Sequence, residues 1–82
     1  MADSNNQEVK LGKYKHYKGN FYEVLGIARH SETLEEFVVY RALYNSEEFG
    51  NNCIWIRPKS MFLGKVIIER KEVPRFEYLS RE

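Results

Sequence analysis

The feature that most constrains this chain is a dense run of β-branched and aromatic residues in its central part. Residues 37–44 read FVVYRALY, residues 54–58 read IWIRP, and the segment between them is mostly polar. Side chains of this kind pack well on a half-buried pleated surface, and a polar break containing glycine is typical of a loop. The pattern therefore predicts a mostly β fold, with two strands joined by a loop over residues 45–52.

The first of these two segments also has a helical interpretation. Apolar side chains recur at helical spacing over residues 34–41, and Thr33 with Glu36 resembles a capping box. The block VVY at residues 38–40 loses rotamer freedom in a helix but packs well in a sheet. We therefore favour a strand for this segment.

Two runs nearer the N terminus predict a β-hairpin. Residues 12–17 and 21–30 are separated by Lys18, Gly19 and Asn20, and both Gly and Asn tolerate the positive φ angles of a tight turn. Gly26 lies inside the second run, where a glycine often marks a bulge. The sequence therefore predicts a bulge at that position, which lets the strand bend.

The last third of the chain predicts a helical turn and further strands. Pro58 has no N–H to donate, so it ends the strand before it. Residues 59–63 predict one helical turn that places Met61 and Phe62 in the core. Residues 66–68 predict a further strand, which brings the expected total to five, and residues 75–79 can form a closing one.

Chain length and cysteine content bound the organisation of the protein. Eighty-two residues make one domain, with residues 1–8 as a loose polar tail and residues 9–82 as the folded part. Cys53 is the only cysteine, so no internal disulfide is expected and a cytoplasmic location is predicted. No apolar run approaches the roughly 20 residues that span a bilayer, so no membrane contact is expected.

The charge distribution leaves two alternatives open. The net charge is +1, but residues 10–30 and 57–75 are both strongly basic, and the segment between them is acidic. If the basic segments come together in space, they form a cationic face that attracts phosphate or nucleic acid. If they interleave with the acidic segment, the charges solvate a mixed surface, which is the usual condition of small domains.

Aromatic and basic side chains predict a ligand-binding cleft. Strand alternation puts Ile54 and Ile56 on one face, as core residues, and therefore Trp55 and Arg57 on the outer face. An exposed Trp beside an Arg suits a ligand platform, although Trp55 packing beneath the loop at residues 45–52 is an equal alternative. Small β domains bind peptides or stack nucleotide bases on such surfaces. The candidate ligand-binding residues are His16, His30, Glu32, Tyr40, Trp55, Arg57 and Arg75.

The HSET segment at residues 30–33 is the most polar candidate site. His30 with Glu32 suits acid–base catalysis, because His titrates near neutral pH and a carboxylate can orient it. Ordinary turn chemistry explains the same residues, since Ser and Thr satisfy backbone amides and Glu32 is solvated. The spacing alone does not decide between the two.

Metal, cofactor and triad chemistry find no support in the sequence. Cys53, His16 and His30 are scattered single residues, whereas a metal site needs three or four suitably spaced ligands. The only Asp is Asp3 in the tail, which leaves a Ser-His-Asp triad without its acid, and no glycine-rich phosphate loop is present. No metal, no cofactor and no catalytic residue are predicted.

Several short strings together resemble a known family. They are GKYKHYKG at residues 12–19, ARHSET at 28–33, VVY at 38–40, WIRP at 55–58, MF at 61–62 and VPRF at 73–76. In this order they strongly resemble a bacterial family of proteins described as domain of unknown function 1653, over residues 11–78. The resemblance implies a small SH3-like β barrel. It implies no catalytic residues, because the family carries no established activity.

The sequence therefore predicts a small SH3-like barrel of about five strands, with a short helical turn and a loose N-terminal tail. As a function it favours a non-enzymatic binding module for a peptide, nucleotide or RNA segment. The first alternative is a small enzyme or modification reader that uses His30 and Glu32. The second is a structural dimerisation domain, so either a monomer or a weak homodimer is expected.

Overall fold

The structure, a computed structural model, describes residues 9–81. The predicted loose tail at residues 1–8 lies outside the described residues. The described part is mostly β, as predicted. Its elements are β1 (Gly12–His16), β2 (Phe21–Arg29), β3 (Glu36–Ala42), β4 (Asn45–Ser46), β5 (Gly50–Asn51), β6 (Ile54–Pro58), α1 (Lys59–Phe62), β7 (Lys65–Ile68), β8 (Lys71–Pro74) and β9 (Phe76–Ser80).

One five-stranded antiparallel sheet dominates the fold. Its strands lie in the order β6-β3-β2-β1-β9, so the last strand pairs with the first. Two small hairpins, β4–β5 and β7–β8, lie outside this sheet. Five predicted strands correspond to the five strands of the main sheet, and the predicted strand at residues 66–68 is β7, in a hairpin outside it. The predicted loop at residues 45–52 contains the β4–β5 hairpin, and β8 was not predicted.

The β1–β2 hairpin and its bulge are confirmed. The turn is closed by the backbone N–H groups of His16 and Gly19, which donate to the carbonyls of Asn20 at 2.8 Å and His16 at 2.7 Å. Gly19 takes a φ of 110°, which glycine adopts without the steric cost that a Cβ brings. The β2–β3 register shifts between Val24 and Gly26, which is the predicted bulge.

The segment with two interpretations is the strand β3. Val38 and Tyr40 are buried on one face of the strand, whereas Val39 and Arg41 are half-buried on the other. Thr33 does not cap a helix. Its hydroxyl accepts a hydrogen bond from the backbone N–H of Glu35 at 3.2 Å, which is a turn contact.

The main sheet curves around an aromatic core. Phe62 from α1 stacks on Phe76 from β9, with ring centroids 4.2 Å apart and an interplanar angle of 9°. Arg57 on the edge strand β6 lies 5.6 Å from the same Phe76 ring, although β6 and β9 are four strand steps apart. In a flat sheet those strands would lie about 19 Å apart, so the sheet must bend for the two side chains to meet.

The sheet ladder stays open over residues 9–81. Strands β6 and β9 are its two edges and do not pair with each other. The structure therefore confirms a mostly β fold, whereas the finer SH3-like barrel stays a prediction. The inner, concave face of the curved sheet holds the core, which consists of Tyr14, Val24, Val38, Tyr40, Phe62 and Phe76.

Two core assignments made from the sequence are wrong. Ile54 and Ile56 are 56% and 62% exposed, and it is Trp55 and Arg57 that face inward. Alternation placed the two pairs on opposite faces correctly, but the register with β3 decides which face is inner, and Trp55 lies opposite the buried Tyr40.

The helical turn α1 forms as predicted, but only one of the two residues expected in the core lies there. Phe62 is 1% exposed and lies in the core, whereas Met61 is 51% exposed. A helical turn of four residues spreads its side chains around the axis, so adjacent residues cannot both point at the same core.

Candidate functional site

The concave face of the sheet carries a small cleft, which we call the inner cleft. Its volume is about 170 Å³. Its walls come from strands β2, β3 and β6, whose alternate side chains point to the concave side, and from Tyr44, which follows β3. The lining residues are Tyr22, Tyr40, Tyr44, Trp55 and Arg57.

Phe76 is the central ring beneath this cleft. Its centroid lies 4.9 Å from that of His16, 5.7 Å from that of Tyr22 and 5.5 Å from that of Tyr40, each in an edge-to-face arrangement. The guanidinium carbon of Arg57 lies 5.6 Å from the same centroid. Edge-to-face contacts are the favoured geometry of aromatic pairs, so Phe76 holds these four side chains in a fixed arrangement.

Tyrosine hydroxyls make the cleft polar as well as aromatic. The hydroxyls of Tyr22 and Tyr44 are 2.9 Å apart and share a hydrogen bond, and the Nε–H of Arg57 donates to the hydroxyl of Tyr40 at 3.3 Å. Burial, followed by the hydrogen bond with Tyr44, raises the pKa of Tyr22. The phenol therefore stays protonated at neutral pH and can both donate and accept hydrogen bonds.

Arg57, which lines the inner cleft, and Arg75 have no carboxylate partner in the described part of the chain. Within residues 9–81 the ion pairs join Arg29 to Glu36, Arg41 to Glu23 and Lys59 to Glu36. Arg57 and Arg75 take part in none of them, and the Nε atom of Arg75 is buried without a hydrogen-bond partner in the same part of the chain. Buried polar groups are normally satisfied, so this site holds unused hydrogen-bonding capacity.

His16 lies next to the cleft, where its ring contacts Phe76. With Arg57 and Arg75 it forms what we call the basic edge of the cleft. Its Nδ1 accepts a hydrogen bond from the backbone N–H of Lys18 at 3.2 Å, so in the neutral ring the proton lies on Nε2. Burial lowers the pKa of His16, and the positive charges of Arg57, Arg75 and Lys18 lower it further. At neutral pH the ring is therefore uncharged and its Nε2–H is a donor.

Of the seven predicted site residues, the structure brings Tyr40, Trp55 and Arg57 to the lining of the inner cleft. His16 lies beside the cleft, where its ring contacts Phe76 and Tyr22. Arg75 precedes Phe76 in the chain, and its carbonyl oxygen accepts from the N–H of Tyr17, next to His16. His30 and Glu32 lie on the β2–β3 turn, beyond the far end of β3, which runs about 13 Å from Tyr40 to Glu36.

Hydrogen bonds at the β2–β3 turn favour its structural interpretation. Nδ1 of His30 accepts the backbone N–H of Glu32 at 3.1 Å and that of Thr33 at 3.3 Å. The backbone N–H of Glu32 is therefore the group of that residue that binds the imidazole Nδ1. That arrangement shapes a turn and does not orient a catalytic base.

Trp55 combines the two roles that the sequence left open. Its ring contacts Phe49 of the β4–β5 hairpin in an edge-to-face arrangement, with centroids 5.1 Å apart. The predicted alternative, packing against the segment at residues 45–52, is therefore confirmed. Trp55 is nevertheless half-buried and lines the inner cleft, although from the concave face and not from the outer one.

Sequence reasoning missed Tyr22 and Tyr44 as cleft residues. The signal for Tyr22 was present, because it alternates with the buried Val24 along β2 and so shares its face. Tyr44 follows the end of β3, where strand alternation no longer predicts a direction. Its position in the cleft follows from its tertiary contact with Tyr22, whose ring centroid lies 5.6 Å from its own.

A second groove lies beside the β7–β8 hairpin. Its volume is about 430 Å³, and it lies between that hairpin and strands β1 and β9. Its lining residues are Lys15, His16, Tyr17, Ile68, Val73, Pro74 and Glu77. His16 thus lines this groove, and its ring centroid lies 6.2 Å from that of Tyr22, which lines the inner cleft. Over the described residues, no three His, Cys, Asp or Glu side chains gather as a metal site would need, and no helix is long and apolar enough to cross a membrane.

Comparisons with known proteins give a family and no activity. No curated protein matches this chain. It is similar to the crystal structure of a DUF1653 protein from Bordetella bronchiseptica, with 33% identity, a TM-score of 0.80 and 92% of each chain covered. The family model described as protein of unknown function (DUF1653) matches residues 12–78. The chain therefore belongs to the DUF1653 family, as its sequence strings indicated.

Proposed function

We propose that this protein is a non-enzymatic binding module that holds a peptide, nucleotide or RNA segment in the inner cleft. One observation carries the proposal. Arg57 lies among the aromatic side chains of the cleft, Arg75 has a buried Nε without a partner, and neither arginine has a carboxylate partner within residues 9–81. A desolvated guanidinium without a counter-charge is costly, and an anionic ligand removes that cost when it binds.

The two kinds of side chain in the cleft have separate roles in this binding. Guanidinium groups present several N–H donors in a planar fork, which suits carboxylate and phosphate oxygens. Aromatic walls provide rigid contact area for a planar or apolar part of the ligand. Phe76 contacts Arg57 and two of the aromatic walls, Tyr22 and Tyr40, so this part of the cleft is arranged before the ligand arrives and little ordering cost remains.

The test is a titration followed by ¹H–¹⁵N NMR. Nucleotides, a short RNA and a peptide pool are added in turn to the labelled full chain, and the indole N–H of Trp55, the only tryptophan, reports on the cleft. We expect saturable shifts at Trp55 with one of the three ligand classes. Shifts confined to the β2–β3 turn, or none with any class, would contradict the placement of the site.

Two matched arginine variants test the anion contact. Arg57→Gln removes a cleft cation, whereas Arg29→Gln removes one that pairs with Glu36 at the β2–β3 turn. A hydrogen bond to a charged group is worth about 1.5–3 kcal/mol, so Arg57→Gln should weaken binding about 10- to 100-fold. Arg29→Gln should leave the affinity unchanged, and equal losses in both variants would mean that only net charge matters.

A second candidate function is self-association through β6. Ile54 and Ile56 project from an edge strand that pairs only with β3 over the described residues, and an exposed apolar edge favours pairing with another strand. Antiparallel pairing of two β6 strands would join two sheets into a weak homodimer. Light scattering over a concentration series tests this, and Ile56→Lys should shift the mass toward the monomer.

The proposed binding function is compatible with a cytoplasmic location. Cys53 is a free thiol, which a reducing compartment preserves. Fluorescence microscopy of a tagged full chain in a bacterial cell tests the location, and a signal restricted to the envelope would exclude it.

A further inference from the structure

The basic edge consists of Arg57, which lines the inner cleft, His16, which lies opposite Phe76 in the β1–β9 pairing, and Arg75, which precedes Phe76 in the chain. The free hydrogen-bonding groups of these three side chains are all of one kind. Arg57 uses its Nε–H on Tyr40, which leaves the two terminal nitrogens of its guanidinium group. Arg75 contributes a buried Nε–H without a partner among the described residues, and neutral His16 contributes Nε2–H, since its Nδ1 accepts from Lys18. All of these groups donate, so the ligand group that fits them accepts hydrogen bonds and donates none.

The charge at this edge selects among acceptor groups. Arg57 and Arg75 contribute two positive charges, and no described carboxylate lies in ion-pair contact with either. A carboxylate or a phosphodiester carries one negative charge, whereas a phosphate monoester carries about −1.5 to −2 at pH 7 and has three terminal oxygens. The monoester therefore balances both guanidinium groups and offers enough oxygens for three donors.

Aromatic side chains beside Arg57 select the rest of the ligand. The cavity of about 170 Å³ is walled by Tyr22, Tyr40, Tyr44 and Trp55. Tyr40 is buried, so a flat heteroaromatic ring would stack on the half-buried Tyr22, Tyr44 or Trp55, and its edge groups can bond to the tyrosine hydroxyls, which both donate and accept. The side chain of a phosphorylated serine or threonine has no ring to use these walls.

We propose that the inner cleft recognises a nucleoside 5′-monophosphate group, with the phosphate between Arg57, Arg75 and His16 and the base against the aromatic walls, which deepens the binding function proposed above and rests on it. The group has two sources, the free mononucleotide and the 5′-phosphorylated end of an RNA strand. Both present a terminal phosphate monoester next to one sugar and one base.

Matched ligands separate the contributions of charge and ring. The full chain is titrated with each of the four nucleoside 5′-monophosphates, with the parent nucleosides, with inorganic phosphate and with the 5′-methyl phosphodiester of the nucleotide that binds best. We expect saturable shifts at the Trp55 indole and at the guanidinium resonances of Arg57 for at least one monophosphate. The nucleoside and the singly charged diester should each bind at least about tenfold more weakly, since each lacks a charge-assisted contact.

RNA oligonucleotides distinguish the two sources. A tetranucleotide with a 5′-phosphate is compared with the same tetranucleotide with a 5′-hydroxyl. Tighter binding of the phosphorylated strand than of the mononucleotide identifies the strand end as the source, and the reverse order identifies the free nucleotide. Either order supports the proposal, whereas binding of the 5′-hydroxyl strand as tight as that of the best monophosphate overturns it.

Cleft variants locate the phosphate. Arg57→Gln and Arg75→Gln should each weaken binding of the best monophosphate about 10- to 100-fold, and Arg29→Gln at the β2–β3 turn should leave it unchanged. Each variant is first shown to keep the dispersed spectrum of the folded protein. Arg57→Lys gives a second measurement, because it keeps the charge and loses the planar fork, and it should weaken binding less than Arg57→Gln does.

Failure of this inference is distinguishable from failure of the binding function. If a phosphoserine peptide or an acidic peptide shifts the Trp55 indole at least as strongly as every monophosphate, the nucleotide assignment is wrong and the binding module stands. If no monophosphate, oligonucleotide or peptide shifts it, both proposals are wrong.

Discussion

The inner cleft and the β2–β3 turn hold similar side chains and use them differently. Each has a histidine whose Nδ1 accepts a backbone N–H, His16 from Lys18 and His30 from Glu32. At the turn, Arg29 binds the carboxylate of Glu36 and the carbonyl oxygen of Leu34. At the cleft, Arg57 and Arg75 bind no carboxylate within residues 9–81. The two regions hold the same residue types. The cleft is the candidate site because the arginines of its basic edge have no carboxylate partner within residues 9–81, whereas the arginine at the turn has one.

Curvature of the sheet produces this difference. The turn extends past the ends of β2 and β3 into solvent, where a charged side chain stays hydrated and readily meets a counter-charge. The cleft lies on the concave face, where Phe62 and Phe76 occupy the interior and leave Arg57 beside an aromatic ring. Changes that remove the aromatic support should therefore affect the cleft far more than the turn.

The largest expected effect is that of Phe62→Ala. Phe62 is 1% exposed and packs on Phe76, Tyr14 and Tyr40, so its removal leaves a cavity under the cleft. We expect a loss of about 3–5 kcal/mol in the free energy of unfolding, measured by urea denaturation. The neighbouring Met61→Ala, at a half-exposed position, should cost about 0.5 kcal/mol or less. Similar losses in both variants would place Phe62 outside the core.

The next effect tests the hydrogen bond between Tyr22 and Tyr44. Tyr44→Phe leaves the partly buried hydroxyl of Tyr22 without this partner, and we expect a loss of about 0.5–1.5 kcal/mol on urea denaturation. The double variant Tyr22→Phe with Tyr44→Phe should cost less than the sum of the two single changes, because no hydroxyl is then left unpaired. Strict additivity would show that the two hydroxyls do not interact.

A hydrogen bond at the β2–β3 turn is the matched control for this pair. Thr33→Val removes the hydroxyl that accepts from the backbone of Glu35, in an exposed position. Water can replace that contact, so the free energy of unfolding should fall less than in Tyr44→Phe. An equal or larger loss would mean that the turn is as strongly constrained as the cleft.

The sequence predicted the strands better than it predicted which way they face. The β1–β2 turn, the bulge at Gly26 and the extended segment at β3 follow from local preferences, and all three are confirmed. The inner face of β6 does not follow, because alternation fixes only that Trp55 and Ile56 point in opposite directions. The register with Tyr40 selects the direction, and that register is a tertiary property.

The sequence predicted which types of residue form the candidate site, but not which of them come together in space. His16 and Arg75 are 59 positions apart in the chain, and only the pairing of β1 with β9 brings them together. His30 was as attractive a candidate from the sequence, since its neighbours are as polar. The ion pairs that distinguish the two regions form between β2, β3 and α1, and no local pattern in the sequence predicts them.

The two histidines allow the comparison to be sharpened by pH. The pKa of His16 is lowered by burial and by Arg57, Arg75 and Lys18, so the folded state binds this proton less readily than the unfolded chain does. His16 therefore stabilises the fold above its unfolded pKa of about 6.5, and that contribution is lost as the pH falls through the lower folded pKa. The free energy of unfolding should decrease below about pH 6.5, by at most about 1.4 kcal/mol per pH unit for one proton.

Single substitutions assign this pH dependence. His16→Gln keeps a polar side chain of similar size and should flatten the decrease measured by urea denaturation between pH 7.5 and 5.5. His30→Gln, at the turn, leaves His16 in place and should retain it. If His16→Gln follows the wild-type pH profile, the decrease arises elsewhere in the chain.

The smallest expected effect concerns the paired cations. Glu36 contacts both Arg29 and Lys59 at 3.3 Å, but Arg29 and Glu36 are 57% and 37% exposed in their side chains. Exposed ion pairs contribute little and are screened by salt, so Glu36→Gln should lower the free energy of unfolding by about 0.5–1 kcal/mol at low salt and by less at high salt. Arg57→Gln removes a cation without a carboxylate partner, so it should not show this salt-sensitive loss. If salt changes the stability loss of the two variants alike, Arg57 is paired with a carboxylate in solution. The cleft would then not differ from the turn, and the proposed binding function would lose its basis.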